Sequence, residues 1–129
     1  MGYGGYMKIV NNSSKTVTTN ISKQDCMYDN GDEGSNLSFF NNLTINSFDT
    51  QPSGGGKGQY IEAKASGSCF FDNSTFTLTI KGLNPTVPNL NFVDPGDNWS
   101  CSGQPDNVNV DINNSGPQAT IVITLSDPS

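Results

Sequence analysis

Short runs in which apolar residues alternate with threonine or asparagine constrain the fold of this chain more than any other feature. In residues 75–80, Phe76, Leu78 and Ile80 alternate with three threonines, and the same alternation occurs in residues 16–21. A period of two places successive side chains on opposite faces of a strand, and no segment keeps the 3.6-residue period of an amphipathic helix. We therefore expect an all-β protein.

Runs of this kind recur along the whole chain and are separated by turns rich in Asn, Ser, Gly and Pro. Candidate strands lie at residues 6–10, 16–21, 37–39, 43–45, 59–65, 75–80, 90–93, 108–112 and 119–125. The turn-prone segments 11–14 and 113–117 predict a hairpin at each place. About eight to ten short strands at this spacing predict a single-domain antiparallel β-sandwich spanning residues 1–129.

The composition excludes several kinds of chemistry. Asn, Ser and Thr account for 43 of the 129 residues, and the chain contains neither His nor Arg. Without His there is no imidazole base, no Ser-His-Asp triad and no His-based zinc site. The two glutamates, Glu33 and Glu62, fit no recognisable pair of glycosidase carboxylates. We therefore expect a non-enzymatic binding module.

Net charge limits the partners of such a module. Six lysines against twelve acidic residues give a formal charge of −6. Nucleic acid is excluded as a partner because a protein that binds a phosphate backbone needs positive charge, and anionic lipid surfaces are disfavoured for the same reason. Strands rich in Thr and Val with few lysines also favour edge-to-edge pairing, which indicates a homo-oligomer.

The three cysteines, Cys26, Cys69 and Cys101, follow no metal-binding or redox spacing. Residues 1–7 lack the basic start and apolar run of a signal peptide. We therefore expect three reduced thiols in a protein that is cytoplasmic or released without a signal peptide, in peripheral contact with a membrane if it binds lipid. A single bridge between two of the cysteines is the alternative.

The densest acidic segment, residues 25–34, contains Tyr28, Asp29 and Asp32. Oxygen ligands around glycines could hold calcium, although the EF-hand spacing is absent. The alternative is a β-turn at residues 30–31, in which the acidic side chains only keep the loop hydrated. No cofactor other than this possible calcium is predicted.

A second acidic loop contains Asp94, Asp97, Asn98 and the only tryptophan, Trp99. An indole beside carboxylate and amide groups is typical of a lectin that stacks a sugar, and also of a module that places its ring at the level of lipid headgroups. The alternative is a core tryptophan at the start of a strand, with its N–H bonded to a turn carbonyl.

The order of these segments resembles that of the aegerolysins, a family of small acidic β-sandwich proteins that includes bacterial insecticidal toxins. The similar segments are the first two strands with the Asn-rich turn between them at 8–21, the acidic glycine turn at 30–32, the strand 43–46, the loop 51–58, the aromatic-Asp-Pro loop 91–96, Trp99 with residues 102–103, and the closing segment 116–125. Members commonly carry several tryptophans, whereas this chain has one.

The resemblance implies binding to sphingolipid headgroups on membranes, and pore formation together with a larger partner protein. A carbohydrate-binding or adhesion protein, stabilised by calcium, is the alternative function. The candidate ligand-binding residues are Tyr28, Asp29, Asp32, Asp94, Asp97, Asn98 and Trp99. Whether the two acidic loops lie at the same end of the sandwich cannot be predicted from the sequence.

Overall fold

The computed structural model describes residues 2–28 and 36–128, and ten β-strands lie within these residues. The strands are β1 (Gly5–Asn11), β2 (Val17–Asp25), β3 (Leu43–Ile45), β4 (Thr50–Gln51), β5 (Gln59–Ile61), β6 (Ser74–Lys81), β7 (Val87–Asp94), β8 (Ser100–Ser102), β9 (Val108–Asn113) and β10 (Ala119–Leu125). The prediction of an all-β protein with eight to ten short strands is confirmed.

The strands form two sheets. In the first sheet the order is β4-β1-β10-β9. β4 and β5 share one edge of β1: β4 pairs with Ile9 and Val10, and β5 pairs with Gly5–Met7. The second sheet has the order β3-β2-β6-β7-β8. Inward side chains of both sheets, such as Ile9 and Phe92, join one buried hydrophobic core. The architecture is a β-sandwich.

One prediction about strand pairing is wrong, and the otherwise antiparallel sandwich contains one parallel pair. β1 does not form a hairpin with β2, because one edge of β1 pairs with β10 and the other with β4 and β5. The β1–β10 pairing is parallel, from Gly5 opposite Ala119 to Asn11 opposite Leu125, so the sandwich is not purely antiparallel. The turn after β1 crosses to the other sheet, and such a turn uses the same residue types as a hairpin turn.

The candidate strand at residues 37–39 is also wrong, because Asn36–Phe40 forms a 3₁₀ helix. Leu37 and Phe40 are both fully buried. Residues three apart lie on the same side of a 3₁₀ helix, so this spacing lets both side chains reach the core. Thr19, buried in β2, donates a hydrogen bond from Oγ1 to the carbonyl of Phe40 at 2.7 Å, which attaches the helix to the second sheet.

The strand pairings assign most of the loops to one of two ends. β2 finishes and β6 begins side by side, with Asp25 opposite Thr75, and Ser74 of β6 is opposite Asp94 of β7. We call this the upper end; its loops comprise residues 2–4, 26–28, 62–73, 95–99 and 114–118. The loops of the opposite, lower end comprise residues 12–16, 46–49, 82–86, 103–107 and 126–128.

Candidate functional site

The upper end contains every candidate ligand-binding residue that the structure describes. Tyr28 follows β2, and Asp94, Asp97, Asn98 and Trp99 lie at the end of β7 and in the loop to β8. The two acidic segments lie close together, because only one strand, β6, lies between the ends of β2 and β7 in the second sheet. The remaining two candidates, Asp29 and Asp32, lie outside the described residues.

Trp99 is part of the hydrophobic core. Its side chain is 2% exposed, and its ring centroid lies 5.6 Å from that of Phe76. The indole Nε1–H donates to the carbonyl of Tyr3 at 2.8 Å, and its backbone N–H and C=O both bond to the side chain of Asn114. These contacts match the alternative of a core tryptophan, and they leave no face of this indole open for stacking on a sugar.

Asp94 is the most deeply buried carboxylate among the described residues, at 1% exposure. Its Oδ1 accepts a hydrogen bond from the backbone N–H of Gly96 at 2.8 Å, whereas Oδ2 has no hydrogen-bond partner in the described part of the chain. Burial raises the pKa of Asp94; the hydrogen bond from Gly96 and the nearby backbone N–H groups of Asn98 and Tyr3 act against that rise, and the charge of Asp97 adds to it.

The other three described candidates are accessible to a ligand. Asp97 and Asn98 are exposed at the tip of their loop. Tyr28 is half-buried and is anchored through its backbone N–H, which donates to the carbonyl of Glu62 at 3.0 Å. The ammonium of Lys64 lies 5.7 Å from the centre of the Tyr28 ring, within the range of a cation–π contact. The accessible groups are therefore one phenol, one amide and one carboxylate.

An exposed aromatic pair at the upper end was missed in the sequence. Phe70 is 61% and Phe71 is 91% exposed, and their rings meet edge to face with centroids 4.6 Å apart. Two adjacent phenylalanines cannot both face the core from one strand, and the three residues that follow them, Asp-Asn-Ser at 72–74, favour a turn. These two features together could have indicated an exposed aromatic pair.

The expectation of three reduced thiols is wrong, because Cys26 and Cys69 form a disulfide with their Cα atoms 5.6 Å apart. The carbonyl of Cys26 accepts hydrogen bonds from Lys64 N and Ser74 Oγ, both at 2.8 Å, which fixes β2 beside the segment that leads to Phe70. Spacing alone could not identify this pair. Cys101 remains a free thiol, and burial raises its pKa to about 12.

Two further carboxylates lie close to the disulfide. One carboxylate oxygen of Asp25 and one of Asp72 are within 4.8 Å of each other, and the sulfur of Cys26 lies in the same group. Asp72 also lines a cavity of about 20 Å³, which it shares with Asp94 and Lys64. Both Asp25 and Asp72 are exposed, and neither was singled out as a site residue from the sequence.

No family model matches the sequence, and no curated protein matches it. Across residues 2–28 and 36–128, none of the helical segments has the length and apolar character needed to cross a membrane.

Proposed function

We propose that this protein is a non-enzymatic recognition module whose upper end docks on membranes and binds sphingolipid headgroups, as the resemblance to aegerolysins implies. One observation carries the proposal: the exposed pair Phe70–Phe71 lies at the same end as Tyr28, Asp97 and Asn98. Apolar rings beside polar groups match the layered chemistry of a bilayer surface, where acyl chains lie just below hydrated headgroups.

The two rings could supply a moderate part of the binding energy. Transferring a phenylalanine side chain from water to an apolar environment is worth about 1.5–3 kcal/mol. Two such rings together approach the ~4 kcal/mol that corresponds to a millimolar dissociation constant. Insertion of Phe70 and Phe71 is therefore weak and unselective alone, and we assign selectivity to headgroup contacts by Tyr28, Asp97 and Asn98.

Charge restricts which membranes this end can approach. The chain carries a formal charge of −6, and anionic leaflets repel such a protein. Zwitterionic headgroups impose no such penalty, and their cationic portion can pair with Asp97. This supports sphingolipids with zwitterionic headgroups over anionic glycerophospholipids as the preferred ligands.

The location of the protein and its role in pore formation are proposed on other grounds. The Cys26–Cys69 bridge favours an oxidising environment, because the reducing cytosol keeps thiols free. We therefore propose that the protein acts after release from the cytoplasm. Pore formation with a larger partner protein, as a toxin pair, is inferred from the aegerolysin resemblance alone.

Vesicle sedimentation tests the proposal. The chain is incubated with vesicles of sphingomyelin and cholesterol, of ceramide phosphoethanolamine, or of phosphatidylcholine alone. The Phe70→Ser/Phe71→Ser variant removes the aromatic pair, and Phe48→Ser is the matched control because Phe48 is 73% exposed at the lower end. We expect a sphingolipid mixture to sediment the wild type and Phe48→Ser, with the double variant reduced by about tenfold or more.

Two outcomes would overturn the proposal. One is that no mixture sediments the wild type. The other is that Phe48→Ser loses as much binding as the double variant, because the upper end would then have no special role. A glycan array run in parallel would identify the carbohydrate-binding alternative, which no longer has an exposed Trp99 to support it.

A further inference from the structure

We propose that the upper end contains a calcium site built on Asp72 and Asp94. The two side chains come from different segments: Asp72 precedes β6 and Asp94 ends β7. The site does not depend on membrane docking, so it can be tested without lipid.

The first observation is the state of Asp94. The side chain is 1% exposed, and Oδ2 is buried with no hydrogen-bond partner among the residues described. Buried polar atoms in proteins are nearly always satisfied by protein, water or an ion, so this oxygen can accept a water molecule or bind an ion beside the N–H groups of Asn98 and Tyr3. Asp94 lines the cavity of about 20 Å³, which is large enough for one ion or one water molecule.

The second observation is that another carboxylate lies at the same cavity, because Asp72 lines it as well. Asp25 is not part of the cavity lining, but one of its carboxylate oxygens is within 4.8 Å of one of Asp72. Its negative charge therefore adds to the attraction of this region for a cation. The third member of the group, the sulfur of Cys26, cannot serve as a thiolate ligand because it is bonded to Cys69.

The donor set favours calcium over other divalent ions. Calcium takes six to eight oxygens from carboxylates, main-chain carbonyls and water, and it tolerates irregular geometry. Ala65, Pro95 and Gly96 also line the cavity, and their main-chain carbonyls are further candidate ligands. Zinc prefers nitrogen and sulfur ligands, and the chain has no His and no free cysteine at this site.

Lys64 is the competing cation. It lines the same cavity, while its ammonium lies 5.7 Å from the centre of the Tyr28 ring. If this ammonium were to move to the carboxylates, it would neutralise them without a metal ion. Replacing Lys64 by Met therefore separates the two possibilities, because it removes the competing charge and leaves the carboxylates in place.

Calorimetric titration of the full chain with calcium chloride, paired with thermal denaturation in calcium and in EDTA, tests the site. We expect one ion per chain, a dissociation constant on the order of 10⁻⁴–10⁻³ M and a higher Tm in calcium. Asp72→Asn should weaken binding by about tenfold or more, and Lys64→Met should strengthen it. Asp106→Asn is the matched control, because Asp106 is an exposed carboxylate at the lower end and should bind as the wild type does.

The site would be disproved by either of two results. The first is that about 10 mM calcium produces neither binding heat nor a change in Tm, in both the wild type and Lys64→Met. The second is that Asp106→Asn weakens binding as much as Asp72→Asn, which would indicate diffuse attraction to an acidic protein. Asp72 is exposed, so Asp72→Asn remains informative even if Asp94→Asn fails to fold.

Discussion

Asn11 at the lower end and Asp94 at the upper end are both buried polar side chains, and they differ in how they are satisfied. At the lower end Asn11 is fully buried, and its Nδ2 donates to three backbone carbonyls at 2.8–3.2 Å. Its Oδ1 accepts from both the N–H and the hydroxyl of Ser13. At the upper end Asp94 is buried with one oxygen bonded, and the other has no hydrogen-bond partner among the described residues.

The difference distinguishes a polar side chain that stabilises the fold from one that still has an oxygen able to bind a ligand. The side chain of Asn11 is neutral and saturated, and it links the turn after β1 to the end of β3. Asp94 carries a charge in a buried position, which is costly unless a proton, a cation or another donor compensates it. The exposed aromatic side chains also differ between the ends. Phe48 is the exposed ring at the lower end, whereas Phe70 and Phe71 form a pair at the upper end.

The largest expected effect concerns the covalent link at the upper end. Replacing both Cys26 and Cys69 with serine removes a bridge between residues 43 apart in sequence, which in a chain-entropy account is worth about 4 kcal/mol of unfolding free energy. Urea denaturation measures this loss. Cys101→Ser is the control, because that thiol has no bridge to lose. Equal stability of the double variant and the control would contradict the prediction.

The next effect tests the difference between Asn11 and Asp94 directly. Asn11→Ala leaves three carbonyls and Ser13 without their buried partner, so we expect a loss of about 3 kcal/mol in unfolding free energy. Asp94→Asn keeps an oxygen to accept from Gly96 and removes a buried charge, so in EDTA we expect a change within about 1 kcal/mol. Similar losses in the two variants would remove the distinction between the ends.

The smallest effect is a pH dependence that arises at the upper end. The folded-state pKa of Asp94 is raised above its ordinary value of 3.8, so folding takes up a proton when the pH lies between the two values. The stability that Asp94 contributes is therefore present below pH 3.8 and is lost as the pH rises through the raised value. Asp94→Asn lacks this loss.

Denaturation in EDTA at a series of pH values compares the two proteins. Relative to the wild type, Asp94→Asn should become more stable as the pH rises from below 4 towards neutrality. A difference that stays constant with pH would show that burial does not perturb Asp94. Calcium should reverse the trend in the wild type, because a bound cation stabilises the ionised carboxylate.

The sequence predicted the strands well because their signal is local. Alternation located β6 and β10 to within a residue at each end, and the turn residues located the β9–β10 hairpin. Pairing was harder to predict. The turn after β1 has hairpin chemistry, yet it crosses between sheets, because β1 pairs through both of its edges with strands that are distant in sequence.

The candidate site was predicted in part for the same reason. Acidic turns are visible in the sequence, but only the β2–β6–β7 pairing places them at one end. Trp99 looks the same in sequence whether its ring is buried or exposed, and its burial depends on a bond to Tyr3, which is 96 residues away. The Cys26–Cys69 bridge and the Asp72–Asp94 cavity likewise depend on long-range contacts.

The central claim is that the upper end meets the membrane, and a ring that reports its depth tests it most directly. Tryptophan is introduced singly at Phe71 or at Phe48, and its fluorescence is measured with sphingolipid vesicles containing brominated acyl chains as quenchers. The background from buried Trp99 is common to both variants. We predict a blue shift and strong quenching for Phe71→Trp and neither for Phe48→Trp. Equal quenching of both, or quenching of Phe48→Trp alone, would contradict the account.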